Sequence, residues 1–117
     1  MVVDGDDATR LDRVFHALSD PTRRDIMRRA GDGAHSVSAL ARAYPISFAA
    51  VHKHVAVLEA AELVATTRRG RERLVRARPD GLRAARAALD GLEALWRGRV
   101  DRIDDLLSDE RKGRACP

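Results

Sequence analysis

The chain has 117 residues, a formal net charge of +4 and a single cysteine, Cys116. This length predicts one domain with a modest core, and the lone thiol excludes an intramolecular disulfide and fits a reducing compartment. No apolar run approaches the roughly eighteen residues of a membrane span, and the acidic start MVVDGDD is unlike a signal peptide. We therefore expect a cytoplasmic protein with no membrane partner.

The positive charge is concentrated in the middle third of the chain. Residues 36–78 hold eight Lys/Arg against three Asp/Glu, whereas residues 1–35 have a net charge of −1 and residues 79–117 a net charge of zero. A coding bias toward arginine would raise the positive charge along the whole chain, not in one third of it alone. Basic charge gathered on one segment is typical of a protein that binds a polyanion.

Two helices are predicted at the start of the chain. The first runs from Ala8 and has apolar residues at helical spacing, namely Leu11, Val14, Phe15 and Leu18. Asp20 and Pro21 then supply an N-cap carboxylate and a proline at the first helical position, so a second helix begins there. Residues 1–7 are expected to form a disordered tail.

Two further helices are predicted on either side of a tight turn. Ser36 is expected to cap the third helix, which Pro45 ends, and Ser47 is expected to cap the fourth, over residues 47–61. The inner face of the fourth helix is predicted to hold Val51, Val55, Leu58 and Glu62, with Phe48 and His52 at its two ends. Two helices joined by so short a turn form a helix-turn-helix motif.

The opposite face of the fourth helix is narrow and has no carboxylate. It carries Ala49, Lys53, Ala56 and Ala60. An exposed helix that is merely soluble usually mixes Glu with Lys, whereas a slim, non-acidic face suits entry into the major groove of DNA. We therefore interpret this segment as a recognition helix.

A β-hairpin is predicted after the recognition helix, because the hydrophobic period changes to two. Its strands are expected at residues 63–67 and 73–77, and Gly70 supplies the positive φ of the turn. Four arginines crowd the tip, namely Arg68, Arg69, Arg71 and Arg73. A polyanion is their natural counter-ion, so the hairpin is interpreted as the wing of a winged helix.

A long last helix is expected from Asp80 to about Leu107, leaving residues 110–117 as a flexible tail. Its apolar stripe is longer than a small domain can cover, and with the stripe of the first helix it predicts a twofold homodimer. The expected interface residues are Leu11, Val14, Phe15, Leu18, Leu89, Leu92, Trp96, Ile103 and Leu107. Gly91 and Gly98 either mark close helix–helix approach or are tolerated in the helix.

The predicted fold is mostly α with a small β-hairpin wing, in the order α1-α2-α3-α4-β-β-α5, with one domain over residues 8–109. LSDPTRRDIM (18–27) and ISFAAVHKHVAVLEAAELV (46–64) resemble the second-helix entry and the recognition helix of ArsR-type (arsenic-repressor type) winged helix-turn-helix regulators, and RRGRERLV matches their wing in kind. The resemblance covers about residues 9–107. It implies a homodimeric, nucleoid-associated repressor of the metal-free subgroup that binds a palindromic operator in double-stranded DNA.

The resemblance and the helical wheel together assign the DNA contacts. These are Ser47, Ala49, Ala50, His52, Lys53 and His54 on the fourth helix and Arg68, Arg69, Arg71 and Arg73 on the wing. Lys53 suits guanine or a phosphate, and alanine methyls suit thymine methyls. His54 stays open between a phosphate contact and a packed, hydrogen-bonded role. Glu62 stands where relatives usually carry the Gly that ends this helix; since Glu is poor in the left-handed conformation, we expect a different ending.

Metal, cofactor and enzyme functions are disfavoured. Ser36 and Ser38 stand where metal-sensing relatives have a Cys-x-Cys pair, and hydroxyls are poor ligands for thiophilic ions. The other metal site of such relatives uses a histidine on the last helix, but no histidine follows His54. A site that uses Cys116 stays open, but we expect no metal and no cofactor. The sequence has no Gly-rich phosphate loop, no Ser/His/Asp set with a plausible spacing and no paired carboxylates in an apolar context. The alternative function is a protein-interaction module whose long helix pairs with another protein.

Overall fold

A computed structural model of the protein describes the backbone of residues 5–115 and the side chains of residues 8–108. The elements are α1 (Gly5–Leu18), α2 (Pro21–Gly31), β1 (His35–Ser36), α3 (Val37–Arg42), α4 (Phe48–Ala60), β2 (Val64–Arg69), β3 (Glu72–Ala77) and α5 (Asp80–Ala115). They fall into two compact units, Met1–Ala85 and Arg86–Pro117. No helix within residues 5–115 is long and apolar enough to cross a membrane.

The first unit is a winged helix-turn-helix, which confirms the predicted fold class. Its antiparallel sheet has three strands in the order β1-β3-β2. The predicted hairpin is formed by β2 and β3, whereas β1 is an addition that the sequence did not reveal. It consists of His35 and Ser36, which pair with Val75 and Leu74 of β3. Two residues are too few for a period-two pattern to be recognised.

The core of the first unit draws apolar side chains from all its layers. The large, fully buried residues are Val14, Ile26, Leu40, Val51, Leu58, Leu63, Val64 and Val75. The inner face of α4 provides Val51, Val55 and Leu58 as predicted. Because α4 is buried along this stripe, its opposite face is held at the surface.

The corner between α1 and α2 is fixed by capping groups on both sides. Asp20 accepts a hydrogen bond from the backbone N–H of Arg23 (3.0 Å), which confirms the predicted helix start and lowers the pKa of the Asp20 carboxyl. Arg23 is buried, and its guanidinium donates to the carbonyl oxygens of Ala17 (2.8 Å) and His16 (2.9 Å). These carbonyls lie in the last turn of α1, where helical N–H donors run out; that of His16 also accepts the N–H of Ser19 (3.2 Å).

Several element boundaries differ from those predicted. Helix α1 begins at Gly5, so residues 5–7 are helical rather than part of a tail. Helix α5 continues to Ala115, through most of the predicted tail, and Cys116 lies outside the described residues. Helix α3 already ends at Arg42, because its last backbone N–H bonds are of the tighter 3₁₀ type (Ala43 N–H to the carbonyl oxygen of Leu40, 3.0 Å). The helix-turn-helix turn is therefore longer than expected.

The wing strands are longer than predicted and the turn between them is shorter. Strand β2 extends to Arg69 and β3 starts at Glu72, so only Gly70 and Arg71 lie in the turn. Gly70 has a φ of +63°, as predicted from its position. A two-residue turn with positive φ matches the right-handed twist of a hairpin.

The C-terminal end of α4 is a Schellman turn centred on Glu62. Glu62 has a φ of 59°, its N–H donates to the carbonyl oxygen of Glu59 (3.0 Å), and the N–H of Leu63 donates to that of Leu58 (3.0 Å). These are the two bonds that usually accompany a glycine in this place. The expectation of a different ending was therefore wrong, and Glu62 takes the strained conformation itself.

Contacts around Glu62 explain why the strain is tolerated. Its carboxylate forms an ion pair with Arg10 of α1 (2.6 Å), and its carbonyl oxygen accepts the N–H of Gly81 (3.0 Å). A Cβ atom at Gly81 would clash with the carbonyl oxygen of Ala61. The end of α4 and the start of α5 are thus in backbone contact, which only glycine at position 81 permits.

The predicted interface residues differ in their accessibility. Val14 is fully buried within its own protomer, so it is not available to a partner, and that assignment was wrong. Phe15 is 40% exposed, while Leu11 and Leu18 are half-buried. In the second unit, α5 exposes a row of large apolar side chains, namely Leu89, Leu92, Leu95, Trp96, Val100, Ile103, Leu106 and Leu107.

Candidate nucleic-acid interface

The outer face of α4 presents small side chains and one cation. Ser47 caps the helix as predicted, because its Oγ accepts the N–H of Ala50 (3.1 Å). The exposed residues of the face are Phe48, Ala49, His52, Lys53, Ala56 and Ala60. Short side chains let a backbone approach closely, and Lys53 is the only formally charged group among these exposed residues.

Phe48 lies on the exposed side of α4, not at the end of its inner face as predicted. It is 53% exposed, and its ring centroid lies 6.2 Å from that of His52. The first turn of α4 therefore presents two aromatic rings beside the alanine surface. Phe48 shares the helical spacing of the buried Val51 and Val55, but it is the first residue of α4, and its side chain is exposed there.

His54 is half-buried and lies on the flank of α4. Its Nδ1 atom lies 3.3 Å from Nη1 of Arg23, which is the packed arrangement considered from the sequence. A guanidinium can only donate hydrogen bonds, so Nδ1 is the acceptor and the proton of the neutral ring is on Nε2. Among the described residues, Nε2 has no hydrogen-bond partner and is not buried. The arginine thus orients the ring and leaves an N–H available. Ala50 is likewise half-buried.

A polar cluster joins the turn before α4 to helix α2. The hydroxyl of Tyr44 donates to Oδ2 of Asp25 (2.6 Å), and Nε of Arg29 donates to the same oxygen (3.0 Å), with its guanidinium 5.5 Å from the Tyr44 ring centroid. Partial burial and the hydrogen bond to Asp25 raise the pKa of Tyr44 to about 12. The hydrogen bonds from Tyr44 and Arg29 lower the pKa of Asp25. This cluster, which sequence reasoning missed, fixes the approach to α4.

The arginines of the wing are divided between its two faces and its tip. In the β2–β3 register Arg68 is opposite Arg73, and Arg69 is opposite Glu72. Side chains alternate between the faces of a strand, so Arg68 and Arg73 share the face of the buried Val75. We call this the inner face of the wing. Arg69 lies on the outer face beside Glu72, and Arg71 lies in the turn.

The inner face of the wing is attached to α4 by Glu59. The Thr66 hydroxyl donates to the Glu59 carboxylate, and Nη2 of Arg73 lies 3.4 Å from Glu59 Oε1. Beside these contacts is a cleft of about 480 Å³ lined by Thr66, Arg68, Arg71, Glu72 and Arg73. We call it the wing cleft. Glu59 was not singled out from the sequence, because a lone acid on a helix gives no sign of its cross-strand partners.

The described residues do not form a metal site. Within this part of the chain, no three His, Cys, Asp or Glu side chains lie close enough together to hold an ion. Ser36 accepts the N–H of Ala39 (3.1 Å) as the N-cap of α3. Its hydroxyl therefore has a structural use.

Known proteins with similar sequences and structures are named as transcriptional regulators or as helix-turn-helix domains. A helix-turn-helix domain family matches residues 18–67. The HTH-type transcriptional regulator Rv2034 of Mycobacterium tuberculosis is 43% identical over 79 residues, which cover 68% of this chain and 74% of that protein. An ArsR-like transcriptional regulator from Rhodococcus sp. RHA1 is 35% identical, with a TM-score of 0.75 over 85% of this chain and 93% of that one. The homodimeric winged helix-turn-helix DNA-binding domain Mb0332 from Mycobacterium bovis shares the fold at 24% identity, with a TM-score of 0.56 over 86% of this chain and 91% of that one.

Proposed function

The chain belongs to the ArsR family of winged helix-turn-helix transcriptional regulators, and on that premise we propose that it is a dimeric repressor that binds a palindromic operator. The observation that carries this proposal is the exposed, non-acidic face of α4 next to the inner face of the wing. The same surface then presents a helix narrow enough for the major groove and arginines that can contact the phosphate backbone of DNA.

We propose that α4 reads base edges in the major groove. Lys53 donates to guanine O6 and N7 or to a phosphate, and the Ala49 methyl contacts a thymine methyl. Phe48 and His52 contact the bases next to them, while Ser47 and the helix N-terminus meet a phosphate. Ala50, which is half-buried, lines the edge of this surface.

Phosphate contacts are proposed to come from the wing and from the flank of α4. Arg68, Arg71 and Arg73 surround the wing cleft, and they would lie along the backbone or enter a narrow minor groove. Arg69 faces outward and contributes less than the other three. His54 would donate its Nε2 proton to a phosphate, in the orientation that Arg23 imposes.

The dimer is proposed to form through α1 and α5. Support comes from the exposed apolar row of α5 and from the homodimeric state of the Mycobacterium bovis domain. Its contacts would be Leu11, Phe15, Leu18, Leu89, Leu92, Trp96, Ile103 and Leu107. Twofold pairing places two recognition helices in successive major grooves, ~34 Å apart, so a palindromic site follows, and its occupancy would block the polymerase.

The base-reading role is tested by comparing operator with random DNA. Sites are first selected from genomic DNA, and affinities are then measured by fluorescence anisotropy. Lys53→Ala is expected to lower the preference for the operator about tenfold or more, since a good base contact is worth ~1–3 kcal/mol. Arg102→Ala, which removes an equal charge from α5, should leave the preference unchanged. An unaltered preference in Lys53→Ala would refute base reading by α4.

The dimer is tested by sedimentation velocity. Trp96 is 64% exposed, and Trp96→Ala is expected to give monomers that bind DNA weakly. Arg97→Ala, one residue away but off the apolar stripe, should remain dimeric. If Trp96→Ala were as dimeric as the wild type, this residue would have no interface role.

The alternative function, a protein-interaction module, is separated by DNA binding itself. Such a module would neither prefer a palindrome nor lose DNA affinity log-linearly with salt.

A further inference from the structure

We propose that the wing cleft is a subsite for a backbone phosphate of double-stranded DNA, and that Glu59 is a built-in competitor for this phosphate. In the free protein Glu59 holds Arg73, and on DNA binding Arg73 exchanges the carboxylate for a phosphodiester oxygen. The inference rests on the proposed function, because it assigns one of the contacts through which the protein holds DNA.

The arginines of the wing cleft have fewer ion-pair partners within the protein than they have positive charges. Arg68 and Arg73 are directly opposite each other in the hairpin, where two like charges destabilise the pairing. Within the described residues, Arg73 contacts Glu59, whereas Arg68 and Arg71 form no ion pair or hydrogen bond. The cleft therefore has two uncompensated guanidinium groups and a third that is only loosely held.

The ion pair between Glu59 and Arg73 has the properties of an exchangeable contact. Its side chains are 40% and 45% exposed and its N–O distance is 3.4 Å, so solvent screens it and it is weak. A phosphate in the cleft can offer the guanidinium two parallel, charge-assisted hydrogen bonds, whereas Glu59 offers Arg73 a single long contact. Arg73 can therefore change partners at small cost when a phosphodiester enters the cleft.

The second contact of Glu59 explains why its carboxylate stays near the cleft after this exchange. The Thr66 hydroxyl donates to Glu59, and Thr66 itself lines the cleft. A carboxylate held there repels an incoming phosphate at short range. Glu59 thus lowers the affinity for any duplex, whatever its sequence, and leaves base recognition by α4 to determine which sites are occupied.

Glu59→Gln tests the proposal, because glutamine keeps a hydrogen-bond acceptor for Thr66 but loses the negative charge. Binding of a duplex of random sequence is measured by fluorescence anisotropy at several salt concentrations. Because Arg73 reaches the phosphate in both proteins, the number of phosphate contacts is the same, and the slope of log K against log [salt] should change little. We expect Glu59→Gln to bind random DNA several-fold more tightly than the wild type at each salt concentration, because no carboxylate competes with the phosphate.

Matched variants separate this effect from a general change in charge. Asp32→Asn removes the same charge from the end of α2, at an exposed side chain that does not line the cleft. Its gain in affinity should be clearly smaller than that of Glu59→Gln. Arg73→Gln should reduce the gain, so Glu59→Gln should improve binding less in the Arg73→Gln background than in the wild type.

The outcomes distinguish this inference from the proposed function. Wild-type protein that fails to bind any duplex would overturn both. Wild-type protein that binds, with Glu59→Gln no tighter than Asp32→Asn or with a gain that is undiminished in the Arg73→Gln background, would overturn the subsite alone. Inorganic phosphate serves as the free-anion probe: it should displace DNA no better than chloride at equal ionic strength. Displacement beyond that would assign the cleft to a free anion instead of the DNA backbone.

Discussion

Arg68 and Arg69 are neighbours in the sequence but lie on opposite faces of the wing, so we expect their alanine variants to differ in DNA affinity. Arg68 lines the wing cleft, whereas Arg69 lies on the outer face opposite Glu72. We expect Arg68→Ala to weaken binding to all duplex DNA, because it removes a phosphate contact. We expect Arg69→Ala to have little effect. The two variants have the same net charge, so the comparison isolates the position of the charge from its amount.

The size of the effect follows from the number of phosphate contacts. A dimer with two wings loses two contacts in Arg68→Ala, and at ~0.9 per phosphate the slope of log K against log [salt] becomes shallower by about 1.8. Over a fourfold rise in salt, this difference amounts to a factor of roughly twelve. The variant's defect relative to the wild type should therefore be about twelve times larger at the low-salt end.

The assay is a salt titration of duplex binding by fluorescence anisotropy, with both variants and the wild type on the same DNA. Circular dichroism checks that each variant is folded. If Arg69→Ala changed the slope as much as Arg68→Ala, the inner face of the wing would have no special role. If neither variant changed the slope, Arg68 would not contact a phosphate.

Three further predictions concern stability and titration. Gly81→Ala should lower the free energy of unfolding in urea by about 1–3 kcal/mol, because its Cβ would clash with the Ala61 carbonyl; unchanged stability would contradict that contact. Glu62→Gly should be about 1 kcal/mol more stable than Glu62→Ala, since both lose the ion pair but only glycine relieves a left-handed strain of ~1–2 kcal/mol; equal stabilities would show that φ is not positive there. Tyr44, the only tyrosine, should ionise near its raised pKa of about 12 when tyrosinate absorbance is followed. Because the pKa of Tyr44 is higher in the folded state, the folded state gains stability that is fully present below pH 10.0 and is lost as the pH rises toward 12. Tyr44→Phe should remove this loss of stability at high pH. An ionisation of Tyr44 near pH 10 would refute the hydrogen bond to Asp25.

Much of the fold was predictable because its signals are local. Asp20, Ser36 and Ser47 each accept the backbone N–H bond expected of an N-cap, and Gly70 has the positive φ that its hairpin position requires. In these cases the deciding interaction lies within three residues of the signal. The apolar stripe of α4 was predictable for the same reason, because a helix converts sequence spacing directly into a face.

The features that were missed depend on contacts between distant parts of the chain. Glu62 adopts the conformation of a glycine because Arg10 and Gly81 hold it, and neither is its sequence neighbour. Arg23 is buried because the carbonyls of α1 need a donor, although arginine is usually a surface residue. The attachment of the wing to α4 through Glu59 likewise appears only when the strands are folded beside the helix.

In the proposed complex, the exposed face of α4 lies against the bases of the bound DNA. Phe48 is on that face and is 53% exposed, so a photoreactive phenylalanine analogue can replace it with little change in size. Irradiation of a fully bound complex with duplex DNA should crosslink position 48 to bases at the centre of each half-site. A complex that is fully bound yet gives no crosslink to DNA from this position would contradict the account.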